Sequence, residues 1–554
     1  LHRGTCTKRV SGRSLFLPGR TPRSRTDSSV SHPTNRSHRH DDQRFGKRWT
    51  LWLACVATFM LILDITVVNV ALPDMERTLH THLSDLEWVV DAYSLALAAL
   101  LLISGSVGDR IGRRRVFIIG MIVFTGGSLW SSTATSPLLL IAGRAVQGIG
   151  AACLFASALA LIGHEYRDDD LGRALGVWGA TIGVGLAVGP LVGGLLTDLF
   201  GWPAIFLVNV PLGVGVVLLS LWRLPESVSP HPKPLDWRGF LAFGLSLFLL
   251  VFALVEGNRL GWSNRLIVAA LVGALILGAV WFWTARRRDA LFDVRLLADR
   301  RFLVATIAVM AQGVVIAAVL LFLLRVLQEA GGASPLVAGA EMLPMTAMAF
   351  VAAIVVGRLV ERVHPAWLLG ASLLLLGTGS SLMLLYGPSR GWLALLPGLI
   401  VAGAGWGATN PASAHASLEA VSRDASGMAS GFNNTARQVG IAVGVGALGA
   451  VFVSRTAAAT SSHLSGAPPA LAQRLAKAVA QSGLSSVPSD LPGHLGAELP
   501  RAASQGMTSA VHSVELIGGL CAVGVALVVF AVGHRDRRSL QANEEEPEPR
   551  RRAA

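Results

Sequence analysis

Apolar stretches of about 20 residues recur along most of this chain, separated by short polar breaks rich in Arg, Asp, Gly and Pro. A helix of that length crosses a hydrocarbon layer of about 30 Å at 1.5 Å per residue, and it satisfies its own backbone in lipid. The pattern predicts fourteen transmembrane helices, over about 49–71, 88–107, 116–134, 138–162, 173–198, 202–222, 237–256, 265–284, 303–325, 336–357, 366–386, 391–414, 427–453 and 510–533. An even number puts both termini on one side. The short loops on that side carry about 18 Lys and Arg, against about 5 on the other, so both termini are expected in the cytoplasm. Arg113-Arg114-Arg115 and Arg286-Arg287-Arg288 carry much of that bias.

Composition agrees with a polytopic, all-α integral membrane protein. Of 554 residues 52% are hydrophobic and only 15% charged, far less charge than a soluble chain of this length carries. The net charge of +13 does not indicate nucleic acid, because it lies in the inner loops and in a basic, Ser-rich arm, residues 1–48. That arm lacks periodicity and is expected to be disordered. It has no apolar core ending in a small-residue cleavage site, so it is not read as a secretory leader. Residues 534–554 read as a solvated cytoplasmic tail, and 454–509 as a partly helical, mobile flap on the outer side. Cys6, Cys55, Cys153 and Cys521 are scattered, with no metal spacing and no disulfide framework. No Gly-rich phosphate loop ending in Gly-Lys-Ser/Thr is present, so ATP is not expected as the fuel. No His-Glu-x-x-His or Gly-x-Ser-x-Gly signature supports an enzyme, and no cofactor is expected.

Charges inside the spans are the candidate chemistry, because an ionised side chain in hydrocarbon costs at least a few kcal/mol and persists only with a partner, usually with a task. Asp64 stands about 15 residues into the first span, roughly 22 Å along it, and Arg144 roughly 10 Å below the outer surface in the fourth. The two fall at similar heights and are candidates to pair. Burial and pairing act on such an acid in opposite senses, which makes Asp64 a candidate proton carrier; a fixed ion pair that orients helices is the alternative. Asp91, at the outer end of the second span, is either an interfacial carboxylate or a cation-attracting one. Glu341 lies beside Pro344, which can open a helix and line a cavity, and is a candidate for substrate or proton binding. Arg325 is a candidate partner that would neutralise it. Glu515 and His415 read as near-interface residues.

Other features concern packing and topology. Gly185, Gly189 and Gly193 form a small-residue stripe where helices approach closely, and Pro190 removes a backbone donor and permits a bend. Asp109, Arg110 and Arg113 follow the second span at the inner surface, where the arginines also suit topology and anionic lipid. Asn433, Asn434, Arg437 and Gln438 are polar positions in the thirteenth span, suited to lining a cavity or to bonding between helices. A Gly followed by an acid at +4 and Arg at +5 occurs twice, at Gly105–Arg110 and Gly357–Arg362, after spans running the same way. Duplicated halves around a midplane cavity are the mark of secondary transporters.

These motifs together resemble the major facilitator superfamily, in its fourteen-helix drug:proton antiporter branch. The resemblance rests on Leu63-Asp64 through Pro73, Gly105 through Arg115, Arg144-Ala145-Val146-Gln147-Gly148-Ile149-Gly150, Gly185 through Gly194, Ser334 through Gly339 and Asn434-Thr435-Ala436-Arg437-Gln438. Departures are Trp202-Pro203-Ala204 at the start of the sixth span, His364-Pro365 in the second loop copy, and Glu341 itself. The resemblance implies two six-helix bundles, 49–222 and 303–533, joined by two linking helices in 237–284. It implies export in exchange for protons, with Asp64 and Arg144 in proton coupling; the residues themselves add Glu341 as a proton-coupling candidate and Asp91, Gln147, Glu341, Asn434 and Gln438 as candidates for the substrate cavity. Asp109, Arg110, Arg113, Gly185, Gly189, Pro190 and Gly193 would then gate it, Asp109 latching onto the start of the thirteenth span after Asp424. The expected partners are hydrophobic, especially cationic, small molecules, protons and lipid, around a monomer in the inner (plasma) membrane. A dedicated exporter of one antibiotic or metabolite is the alternative, and a non-transporting sensor or scaffold the remoter one.

Overall fold

The structure is a computed structural model that describes residues 34–166, 168–228, 236–286, 294–360, 362–387, 390–419, 426–464, 467–483 and 493–545. Every regular element among these residues is helical. The helices are α1 Thr34–Leu79, α2 Leu83–Ile111, α3 Arg113–Ser132, α4 Pro137–Glu165, α5 Asp168–Phe200, α6 Pro203–Leu207, α7 Asn209–Arg223, α8 Trp237–Leu260 and α9 Arg265–Thr284. Beyond them come α10 Arg300–Ala318, α11 Leu324–Glu329, α12 Pro335–Glu341, α13 Leu343–Leu359, α14 Pro365–Leu382, α15 Leu396–Glu419, α16 Ser426–His463, α17 Pro469–Ser482 and α18 Gly493–Glu545. Among the described residues thirteen helical stretches are long and apolar enough to cross a membrane, and the bent α2 raises the number to fourteen. By contacts the chain divides into residues 1–45 and a body, residues 46–554, which carries everything below.

The starts of these helices are written locally. Ser136, Asp236, Asn264, Asp299 and Ser334 each accept a backbone N–H from the first turn of the following helix, and Pro137 and Pro335 occupy the first helical position. Gly112 and Gly261 end α2 and α8 at φ 113° and 93°, where a side chain would be strained. Between α10 and α11 the helix widens into one π turn, Val319–Leu323, so this span runs from Arg300 to Glu329 without a break.

Three differences from the sequence reading follow from packing. First, α1 passes through Pro73 and continues to Leu79, which draws Glu76 into the protein at 4% exposure. Secondly, the helix expected in part of 454–509 takes up most of its described residues: α16 runs on to His463, α17 buries Ala472, Leu475, Ala476 and Val479, and α18 begins at Gly493. Thirdly, Glu515 is not interfacial. It is 1% exposed, and Ser380 Oγ of α14 bonds both its backbone and its carboxylate oxygen.

Candidate functional site

The centre of the α1–α7 bundle is a closed polar cluster built on Asp64. Its carboxylate is fully buried and accepts three side-chain hydrogen bonds: Arg144 Nη1 at 2.5 Å, Gln147 Nε2 at 3.1 Å and Asn209 Nδ2 at 3.2 Å. Ser128 is the hub behind it. Its Oγ accepts from Gln147 and Asn209 and donates to the Phe206 carbonyl at 2.9 Å. Arg144 is held on every side, by Gln147 Oε1 at 3.0 Å, the Val89 carbonyl of α2 at 3.1 Å, and the Tyr93 ring 4.3 Å from its guanidinium carbon. One ion pair thus ties together α1, α2, α3, α4 and α7. Removing one partner of such a pair costs about 3–5 kcal/mol, because the other charge is left buried and alone.

Arg144 also borders the central cavity, whereas Asp64 does not. The cavity has an empty volume of about 1110 Å³, its open mouth included. One wall comes from α1, α2, α4 and α5 and is apolar apart from a few groups such as Asn69, Tyr93 and Arg144. The other wall, from α10, α15 and α16, carries Gln312, Asn410, Asn434, Arg437 and Gln438. No carboxylate is among the described lining residues. Arg437 Nη1 donates to Asn434 Oδ1 at 3.0 Å, while its Nε has no partner among the described residues.

One pole of the cavity is shut. At the end of α1, Arg325 Nη2 donates to Glu76 Oε1 at 2.9 Å, both side chains 3% exposed, and Arg325 Nε lies 2.9 Å from Glu329. Gln328 Nε2 donates to the Val70 carbonyl at 2.9 Å. Gly193 of α5 packs on Val67, Gly189 on Thr66, and Gly194 on the Pro335–Leu336 backbone of α12. A Cβ on Gly339 would collide with the Pro190 carbonyl, so α5 and α12 touch backbone to backbone. The carboxylate of Glu87 lies on Gly449 of α16. Toward the other pole the seam loosens, since a Cβ on Gly176 or Gly179 would meet nothing within 4 Å.

The sequence-derived candidates divide accordingly. Asp64, Arg144 and Gln147 form one cluster, and Asn434 and Gln438 line the cavity. Gln147 sits behind Arg144 rather than on the cavity wall, and neither Asp91 nor Glu341 is a lining residue. Asp91 is fully buried with both oxygens unpartnered among the described residues, four positions along α2 from Glu87. Glu341 is 8% exposed with its Oε2 unpartnered among the described residues. The Arg325–Glu341 pairing is corrected: Arg325 is taken up by Glu76 and Glu329, because the uninterrupted α1 brings Glu76 to it. Gly185 packs on Ile62, completing the stripe with Gly189 and Gly193. Asp109, near the end of α2, accepts from Arg113 Nη2 at the start of α3 at 2.9 Å; residues 420–425, which lead into the expected partner helix, lie outside the described residues. Arg110 is 4 residues from Arg114, in the exposed turn that ends α2. Glu76, Asn209, Ser128 and Gln312 were missed by sequence reasoning. Asn209, followed by Pro211 in an apolar run, was the one visible signal among them.

The chain is similar to known proteins over most of its length. The profile of the Major Facilitator Superfamily matches residues 54–445. The multidrug resistance protein Stp of Mycobacterium tuberculosis is 32% identical over 498 residues, covering 88% of this chain and 91% of that protein. The methylenomycin A resistance protein of Bacillus subtilis is 34% identical over 396 residues, covering 71% and 84%. Among solved structures, a bacterial homologue of the human lysosomal transporter Spinster, in an inward-facing and unoccupied conformation, superposes with a TM-score of 0.60 at 18% identity, covering 89% of this chain and 98% of that one.

Proposed function

The chain belongs to the Major Facilitator Superfamily, and from that membership we propose that it is a proton-driven exporter of hydrophobic drugs or antibiotics across the cytoplasmic membrane. Relatives named for multidrug resistance and for resistance to methylenomycin A support the drug-export part of this reading. The observation that carries the proton part is the Asp64–Arg144 pair. An acid whose side chain has no exposed surface is bonded to Arg144, which also faces the cavity from the α1–α7 wall.

In this mechanism a proton on Asp64 discharges the ion pair. Arg144 then loses its strongest partner and keeps the Val89 carbonyl, Gln147 and the Tyr93 face, so the packing of α1, α2 and α4 that the pair enforces is relaxed. Deprotonation restores it. With the termini in the cytoplasm, the pole shut by Glu76, Arg325 and the α5–α12 seam faces outward, and the described state is open to the inside. In the opposite state Asp109, bonded here to Arg113, would serve as the latch. The electrical part of the proton gradient supplies about 2.3 kcal/mol per charge per 100 mV.

The test is a drug-susceptibility panel with the gene expressed in an efflux-deficient host, with and without a proton uncoupler. Raised tolerance that the uncoupler abolishes supports the exporter; tolerance indifferent to the uncoupler, or none to any compound, contradicts it.

A further inference from the structure

The charge of the cavity wall bears on which drugs fit it, an inference that rests on the exporter reading. A cationic substrate was expected because Asp91 and Glu341 were placed at the cavity, and neither lines it. The charged groups among the described lining residues are Arg144 and Arg437. They are not equivalent. Arg144 is neutralised by Asp64 at 2.5 Å. Arg437 takes part in no ion pair among the described residues, and its one described side-chain bond is to the neutral amide of Asn434. A guanidinium at a half-buried, water-poor wall with an unused N–H is an incomplete arrangement, because buried charge persists when paired and its donors are normally satisfied.

We propose that the cavity takes amphipathic organic anions, an apolar body bearing a carboxylate or an acidic phenol, with Arg437 holding the head group. A planar guanidinium offers a carboxylate two parallel donors, and such charge-assisted bonds are about twice as strong as neutral ones. Asn410, Asn434 and Gln438 on the same wall supply amide groups around that head. The facing wall, with Ile62, Ile65, Leu97, Phe155 and Leu186, receives the apolar body. An ammonium ion in the same place would meet guanidinium charge and no carboxylate.

The position of Arg437 also satisfies a condition set by coupling. A head group that drew Arg144 off Asp64 would make drug and proton bind together, which is the coupling sign of cotransport. Held on α16, across the cavity from α4, the head group leaves the Asp64–Arg144 pair to the proton.

The experiment uses three probes with one apolar body: 1-pyrenebutyrate, the uncharged 1-pyrenebutyramide and the cationic 1-pyrenebutylamine. Binding to the full chain in nanodiscs is read by energy transfer from tryptophan, of which Trp406 lines the cavity. The butyrate is expected to bind at least roughly tenfold more tightly than the amine. Arg437→Gln is expected to weaken the butyrate by roughly tenfold and change the butyramide by less than about twofold, with Arg437→Lys intermediate. Size-exclusion profiles of both variants report folding, and the Lys variant keeps the test decisive if the Gln variant misfolds. Tighter binding of the amine, equal binding of all three, binding of none, or a butyrate affinity unchanged in both variants overturns the proposal. Should the susceptibility panel show uncoupler-sensitive efflux while the butyrate fails, the exporter stands and the anion preference falls.

Discussion

The Arg144 guanidinium bonds Asp64 Oδ2 at 2.5 Å while facing the central cavity, and the carboxylate it holds has no exposed surface. Eighty residues of chain separate the two, so the bond exists only in the folded bundle. The same guanidinium donates to the Val89 carbonyl and lies on Tyr93, which links the state of one acid to the position of α2.

The pair is therefore structural as well as functional, and the two roles separate by substitution. Asp64→Ala leaves Arg144 buried without its counter-charge and is expected to lower stability by about 3–5 kcal/mol. Asp64→Asn keeps an acceptor for Arg144 and should destabilise less, by about 1–3 kcal/mol, the cost of a lost charged hydrogen bond. Denaturation of the purified protein in detergent distinguishes the two; equal stability of wild type and the Ala variant would show that the pair holds nothing together.

At the shut pole, Arg325→Gln leaves the buried Glu76 and the partly buried Glu329, both of which Arg325 holds, without a cation. Like charges left there repel, so the pole is expected to open more often. A reporter is Leu336→Cys, which sits under Gly194 in the α5–α12 seam, in a background lacking the native cysteines. Labelling by an impermeant maleimide added outside should accelerate several-fold in Arg325→Gln. Glu76→Gln, which leaves the Arg325–Glu329 contact in place, should accelerate it less. Unchanged labelling in Arg325→Gln would remove the cluster from the gate.

Gly339→Ala tests the seam itself. The new methyl would overlap the Pro190 carbonyl, a backbone atom that cannot rotate away. Overpacking of this kind costs about 1–3 kcal/mol, here charged to the shut state alone. Faster labelling at the same reporter and slower transport are expected, with little change in the stability of the α1–α7 bundle.

Asp109→Ala should slow transport while leaving equilibrium drug binding within about twofold, if the acid acts as a latch in the state not seen here. Binding weakened as much as transport is slowed would assign Asp109 to the binding site instead.

Much of this was legible in the sequence, for reasons particular to membrane helices. Apolar length alone marks the spans, and 1.5 Å per residue puts Asp64 and Arg144 at one height. What height does not give is rotation. Asp91 and Glu341 lie deep enough to reach a cavity, but which face of α2 or α12 turns inward is decided by the helices packed around them. Glu76 was hidden differently. The apolar run gives a first span ending at about 71, yet α1 continues through Pro73 to Leu79 and carries Glu76 to Arg325. Arg437 was visible as a charge in an apolar helix, but its lack of a counter-ion is a property of the assembled wall.

The most direct measurement is drug accumulation by everted membrane vesicles carrying wild-type or Asp64→Asn protein, using a drug identified by the susceptibility panel. An imposed pH gradient, acid inside, should drive accumulation by wild type. In Asp64→Asn that accumulation should vanish while exchange of labelled for unlabelled drug, which needs no gradient, continues. Gradient-driven accumulation by Asp64→Asn at the wild-type level would contradict the account.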